Sequence, residues 1–219
     1  MSADAKTTLR AELKELRDEL HARDPDAGIT LAEKFPLKLL ERYGPVVAGY
    51  WPIGSEVDPR PLMARLAEAG AQLALPRLDE DGTMSFRLWS DGEELERRPF
   101  GLSEPLETAP HVDPTLVLLP LLAFDKVGNR IGYGKGHYDR ALSALRNEGR
   151  VFACGLGFYA QMLDDLPAEP HDQPLDWAMT ERGSVPIFMM RTFAQDGDAG
   201  DDVADDEDGN GDDPGPGAA

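Results

Sequence analysis

The sequence predicts an α/β fold, a three-layer sandwich with a mainly parallel central sheet and helices on both faces. Two observations carry this expectation. Short apolar runs suited to buried strands occur at 45–50, 115–119 and 151–155. They alternate with stretches whose apolar residues repeat at helical spacing, the pattern that builds parallel sheets through crossover helices.

In chain order, Leu9, Leu13, Leu16 and Leu20 form one apolar stripe and predict a helix over 5–22. Lys6, Arg10, Lys14 and Arg17 run beside the leucines as a basic stripe, and Glu12, Glu15, Asp18 and Glu19 take the outer face. A second helix is expected over 29–43, disturbed by Pro36 and ended by Gly44-Pro45. After the strand at 45–50, a helix over 59–69 has Pro61 in its first turn and Gly70 as its stop. A short strand at 72–75 is expected to end at Pro76. Thr83 to Trp89 alternates in polarity behind an Asp81-Gly82 turn and suits a half-exposed strand. Residues 90–113 read as loop. The continuous apolar run at 115–119 fits a strand buried on both faces. Tyr138, Ala141, Leu142 and Leu145 predict a helix over 136–148, and late strands are expected at 151–155, 176–180 and 185–190. One domain over 1–193 is expected. Residues 194–219 are acidic and Gly-rich and read as a disordered tail.

The 219 residues hold 41 acids and 22 bases, a formal net charge of −19. Ten of the acids fall in 194–219, which has no Lys or Arg, so 1–193 carries about −9. This balance disfavours DNA, RNA and anionic membranes, which require clustered Lys and Arg. No apolar run approaches a membrane span, and the first residues read as a charged helix rather than a signal peptide. Cys154 is the single cysteine, and the four histidines lack ligand spacing, which argues against disulfides and structural zinc. The expectation is a cytoplasmic monomer without nucleic-acid or membrane partners.

The chemistry concentrates between Leu119 and Arg140. A buried strand ends at Pro120, a loop of about 15 residues follows, and a helix begins near Gly136. In open α/β sheets, ligands bind beyond the carboxyl ends of the strands. Gly132, Gly134 and Gly136 let backbone amides approach an anion, and the following helix adds free N–H groups and its positive dipole end. Arg130 and Lys135 add cations to this phosphate cradle. It is neither a Rossmann nor a Walker A loop. His137 stands where the first needs Gly or Ala; Asn129 stands where the second needs Gly, and Gly136 where it needs Ser or Thr. Asp139 lies just inside the helix. A carboxylate beside phosphates calls for an intervening cation, and magnesium takes one or two carboxylates with phosphate oxygens and water. Asp176, at the start of an expected strand, is the candidate second ligand.

Residues 120–140 resemble the signature of the 5-formyltetrahydrofolate cyclo-ligase (5,10-methenyltetrahydrofolate synthetase) family. Five further features follow the family order: Lys6 with Arg10; Tyr50-Trp51-Pro52 leading to Glu56-Val57-Asp58; Gly101-Leu102-Ser103-Glu104-Pro105; Gly155-Leu156-Gly157-Phe158 with Gln161; and His171-Asp172, Leu175-Asp176 and Thr180. The resemblance spans about 5–182 and implies an α/β sandwich that uses ATP and Mg2+. By it, ATP phosphorylates the formyl oxygen of 5-formyltetrahydrofolate, N10 attacks the formyl carbon, and phosphate leaves to give 5,10-methenyltetrahydrofolate.

The resemblance also implies roles. Lys6, Arg10 and the run Arg130, Ile131, Gly132, Tyr133, Gly134, Lys135, Gly136, His137 and Tyr138 would bind ATP. Trp51, Glu56 and Gly134 to His137 would meet the reduced folate, with Glu56 on the pterin N–H edge and Trp51 against its ring. Arg130 and Lys135 would stabilise transferring charge, and Asp139 and Asp176 would hold magnesium. Three positions depart from the usual pattern: Leu121 replaces a glycine, Lys135 stands where many members have glycine, and His137 where many have tyrosine. Two alternatives stay open at this point, a paralogue acting on another N-formyl substrate and a non-catalytic nucleotide- or folate-binding protein.

Overall fold

Buried aliphatic strands set the architecture. The computed structural model describes residues 3–187. The tail expected over 194–219 and residues 188–190 of the strand expected over 185–190 lie outside them, and of 185–187 only Val185 is strand. The described helices are α1 (Ala3–Arg23), α2 (Ala27–Lys34), α3 (Lys38–Tyr43), α4 (Arg60–Glu68) and α5 (His137–Glu148). The main sheet contains β1 (Val46–Ala48), β2 (Gln72–Leu78), β3 (Met84–Leu88), β6 (Leu116–Pro120), β9 (Phe152–Leu156), β11 (Trp177–Thr180) and β12 (Gly183–Val185). Its order is β12-β11-β9-β6-β1-β2-β3, with parallel pairing from β11 through β2 and antiparallel strands at both edges. A hairpin joins β4 (Leu95–Arg97) to β5 (Ser103–Pro105). A small sheet orders β10 (Met162–Leu163), β7 (Ala123–Asp125) and β8 (Arg130–Ile131).

The side-chain alternation of β6 divides the core. Leu116 and Leu118 share one face with Ala27 and Leu31 of α2 and Leu62 and Leu66 of α4. Val117 and Leu119 share the other with Ala141 and Leu142 of α5. Both faces are covered, as a parallel sheet requires, and the three-layer α/β sandwich read from the sequence is the fold. Among the described residues, no helix is long and apolar enough to cross a membrane.

Four expectations need correction. The helix expected over 29–43 is two helices, α2 and α3, broken around Phe35-Pro36 because proline removes an amide donor and clashes with the preceding turn. β2 runs through Pro76 instead of ending there. β1 pairs only as far as Ala74, so beyond that point β2 bonds β3 alone and Pro76 interrupts no second ladder. The stretch 90–113 holds the β4–β5 hairpin, closed by Arg77, which donates to Glu96 (2.9 Å) and to the Pro105 carbonyl (2.7 Å). The long loop after Pro120 contains β7 and β8 and is a braced hairpin for most of its length.

Leu118 is wholly buried at the centre of the sheet, whereas Leu106 is 40% exposed. Leu118→Ala should cost about 2–5 kcal/mol in urea unfolding, and Leu106→Ala about 0.5 kcal/mol or less.

Candidate active site

Three chain segments meet beyond the carboxyl ends of the parallel strands. The segment after β1 carries Trp51, Ser55 and Glu56; the β7–β8 hairpin leads into Gly132–Gly136 and then α5; and α1 lies across them. α1 docks through Leu13, which packs with Leu122, Ala123, Ile131 and Leu166. This apolar contact brings the neighbouring basic stripe to the loop.

Two buried polar groups hold the hairpin. Asp125 is fully buried and accepts the N–H groups of Val127 (3.0 Å), Asn129 (2.9 Å) and Leu166 (3.2 Å) and the Asn129 side-chain amide (2.8 Å). Gln161 is also fully buried; it donates to the carbonyls of Leu121 and Leu122 and accepts the Phe158 N–H. Satisfied in this way, buried polar groups fix a loop geometry that short apolar strands alone would leave loose.

The glycines of the loop face cations and a helix end. Arg10 Nε donates to the Gly132 carbonyl at 3.1 Å. Gly134 has φ +84°, a left-handed backbone that favours glycine, and a Cβ there would lie 2.8 Å from Arg10 Cζ and push the guanidinium off the loop. Gly136, also left-handed, caps the start of α5. The Lys135 side chain is exposed. His137 Nδ1 accepts from Arg140 at 3.0 Å, which leaves the ring proton on Nε2. Burial, then the charges of Arg140 and Lys135, push the His137 pKa down and favour the neutral ring.

Several candidate residues already hold partners. Lys6 pairs with Glu169. Arg130 is only 8% exposed; it donates to Asp139 (2.7 Å) and to the Gln173 carbonyl. Ile131 is buried with Leu13, and Tyr138 packs against the α5 face of the core, where burial pushes its hydroxyl pKa well up. Ile131 and Tyr138 are therefore placed in the packing beneath the loop.

Asp139 and Asp176 offer hard carboxylate oxygens, the donor type magnesium takes. Asp139 stands in the first turn of α5, where its Oδ1 accepts from Arg130 and from the Gln173 N–H (3.0 Å). Asp176 precedes β11. Its Oδ2 accepts from Arg146 (3.0 Å) and from the Ala153 N–H (2.9 Å) at the amino end of β9. Gln173 lies between the two, since its side-chain oxygen accepts from Arg146 at 3.0 Å. Asp139 thus stands at the start of α5, paired with Arg130, while Asp176 is tied to the amino end of β9 and to Arg146 in the last turn of α5, and no bond joins the two carboxylates.

Trp51 and Glu56 occupy neighbouring positions. Trp51 packs edge-on to Trp89 with ring centroids 5.9 Å apart, and the Arg60 guanidinium stands 5.1 Å above it. Glu56 is 3% exposed and its Oε2 accepts the Ile53 N–H at 2.8 Å. Burial pushes its pKa up, partly offset by that N–H and by Arg17.

Arg17, Ser55 and Gln173 are residues the sequence reading did not single out for the site. Arg17 is 2% exposed; it donates to Ser55 Oγ (3.1 Å) and Tyr133 OH (2.7 Å), and its Nη1 lies 3.8 Å from Glu56 Oε1. It joins α1, the Glu56 segment and the glycine loop. Arg17 Nη1 and Glu56 Oε1 are both buried without a hydrogen bond, and each unmade bond of this kind costs about 1–3 kcal/mol. Each of Lys14 and Arg17 directly follows a leucine, and the one sequence signal was a difference in helical angle that sets Arg17 nearer the leucine stripe.

The 5-formyltetrahydrofolate cyclo-ligase family model matches residues 2–181. A 5-formyltetrahydrofolate cyclo-ligase of Mycolicibacterium smegmatis is 34% identical over 201 residues, covering 85% of this chain and 100% of its own length. That of Haemophilus influenzae is 28% identical over 182 residues, covering 80% and 97%. The solved structure of Aquifex aeolicus 5,10-methenyltetrahydrofolate synthetase aligns with a TM-score of 0.69 at 28% identity, over 83% of this chain and 92% of that one. With its glycine loop, its buried carboxylate and its α1 cations in one place, the chain is an enzyme of the 5-formyltetrahydrofolate cyclo-ligase family.

Proposed function

We propose that this enzyme converts 5-formyltetrahydrofolate to 5,10-methenyltetrahydrofolate, with ATP consumed to ADP and phosphate and Mg2+ required, as a cytoplasmic monomer. The observation that carries this reading is the meeting of two unlike sites on one loop. Gly132–Gly136 meets Arg10 and the start of α5 on one side, a setting suited to phosphates. Through Tyr133 it meets Arg17 and buried Glu56 on the other, a setting suited to a polar heterocycle. A phosphoryl donor and a folate held there would sit side by side.

The reaction needs placement more than an enzyme nucleophile. The formyl oxygen attacks the γ-phosphorus, ADP departs, and N5 shares the positive charge of the resulting iminium. N10 then attacks the formyl carbon, the N5 lone pair expels phosphate with the former formyl oxygen, and N10 gives up its proton. Arg10 and Lys6 hold phosphate charge from α1, so ATP must displace Glu169 from Lys6. Lys135, exposed at the loop crest, stabilises the transferring group, and Arg130 acts from below by holding Asp139. Asp139 would hold the magnesium, which neutralises phosphate charge when bound; Asp176 would join it only by leaving Arg146 and the Ala153 N–H. Neutral His137 lines the formyl end without adding a charge, and Trp51 packs on the pterin ring while Glu56 accepts its N–H groups.

Mixing enzyme, ATP, magnesium and 5-formyltetrahydrofolate should raise the absorbance of methenyltetrahydrofolate; ATP-independent signal, or none at all, would refute the assignment. Lys135→Ala should lower turnover about 100-fold with an unchanged unfolding midpoint; Asp139→Asn should lower turnover similarly and also lower the midpoint, because it takes the charged partner from buried Arg130. Full activity in both would remove their roles.

A carboxylate with a raised pKa is protonated over a pH range where an ordinary one is charged, and recognition of N–H donors needs the charged form. The folate KM should therefore climb as pH falls through the raised Glu56 pKa. Glu56→Gln should give a KM that is high and flat across that range, and an unchanged profile in this variant would exclude Glu56 as its source.

A further inference from the structure

We infer that Arg17 is a specificity-determining residue that reads the ring oxygen of the pterin beside the N–H groups read by Glu56. This rests on the folate reading above and extends it to a residue on a different element. The motivating geometry is a donor and an acceptor left unpaired next to each other. Arg17 Nη1 and Glu56 Oε1 are both buried, both without a hydrogen bond, and 3.8 Å apart. That gap is too wide for a hydrogen bond between them. Buried polar atoms without partners are uncommon in folded proteins, and each needs a reason.

The pair is held in place by groups bonded to its other atoms, with the Tyr133 hydroxyl beside Glu56 until a ligand displaces it. Arg17 Nε is occupied by Ser55 Oγ, which itself donates to Asp18, and Nη2 by Tyr133 OH. Glu56 Oε2 is occupied by the Ile53 N–H. What is left over is the guanidinium Nη1 and one carboxylate oxygen, side by side. Their complement is an N–H donor next to a carbonyl acceptor, which is the lactam edge of a 4-oxo pterin. A neutral 4-amino pterin reverses both groups, turning an amino donor toward Arg17 and an unprotonated ring nitrogen toward Glu56.

Access is through Tyr133. Its ring lies over the Arg17 guanidinium at 5.5 Å, it is 48% exposed, and it sits between Gly132 and Gly134 in the loop. A ligand entering beneath that ring displaces the Tyr133 side chain and leaves α1 where it is. A site whose buried polar groups pair only with the right edge rejects the wrong one strongly, because rejection leaves those groups unpaired.

The test titrates wild type, Arg17→Met and Arg17→Lys with 5-formyltetrahydrofolate and with its 4-amino-4-deoxy analogue, by calorimetry, alongside the KM for ATP. Wild type should prefer the 4-oxo ligand. Arg17→Met should lose about 10- to 100-fold in affinity for the 4-oxo ligand and little for the analogue, so that discrimination collapses while the ATP KM stays within about twofold. Arg17→Lys keeps the charge without the fixed fork of donors and should recover part of the discrimination; it also serves if Arg17→Met does not fold. Undiminished discrimination in a folded Arg17 variant overturns the inference while leaving the folate reading intact. Equal weakening toward both ligands assigns Arg17 a purely structural part and overturns it too. If wild type binds neither ligand, it is the folate reading that fails.

Discussion

The docking of α1 is the constraint on which the site depends. Leu13 seats the helix on Leu122, Ala123, Ile131 and Leu166. Once that contact is made, helical spacing determines where Arg10 and Arg17 arrive. Arg10 lands on the glycine loop and Arg17 lands about two turns further on, under Tyr133 and against Glu56. A few buried aliphatic side chains thus position two cations that no strand of the sheet could supply.

The site's charges are arranged as pairs within an acidic chain. Glu169 covers Lys6, Asp139 covers Arg130, Asp176 covers Arg146, and Glu56 faces Arg17. Exposed pairs such as the first contribute little to stability and exchange easily for a stronger anion. The buried ones are different, since removing one partner strands the other in a medium that penalises its charge. The same pattern of oppositely charged neighbours therefore yields both a displaceable contact and rigid supports, and burial decides which is which.

Much of this was legible in the chain. The leucine stripe of α1, the apolar runs of β1, β6 and β9 and the spacing of α5 all carry their periods openly, because each element buries one or two whole faces. The parts that were not legible have physical reasons too. β7 and β8 are three and two residues long, too short for a period, and depend on Asp125 and Gln161 rather than on pattern. Pro76 reads as a terminator until β1 is seen to end before it. Arg17 looks like Lys14 in sequence, yet one is buried and the other exposed. The phosphate cradle could be read from its glycines, but the tie from Asp176 to Ala153 and Arg146 is a contact between distant segments and has no local signature.

The bond from Arg10 to Gly132 spans 122 residues. During synthesis the first helix is therefore complete well before the hairpin it rests on exists. Until then its leucine stripe has no surface to cover, and Arg10 has no loop to meet. Domains assembled from distant segments spend longer partly formed than those built from local contacts. For this enzyme α1 is made long before the loop it meets, so a nascent chain stopped before residue 130 would hold most of the cationic wall of its site and none of the glycine loop that gives it a purpose.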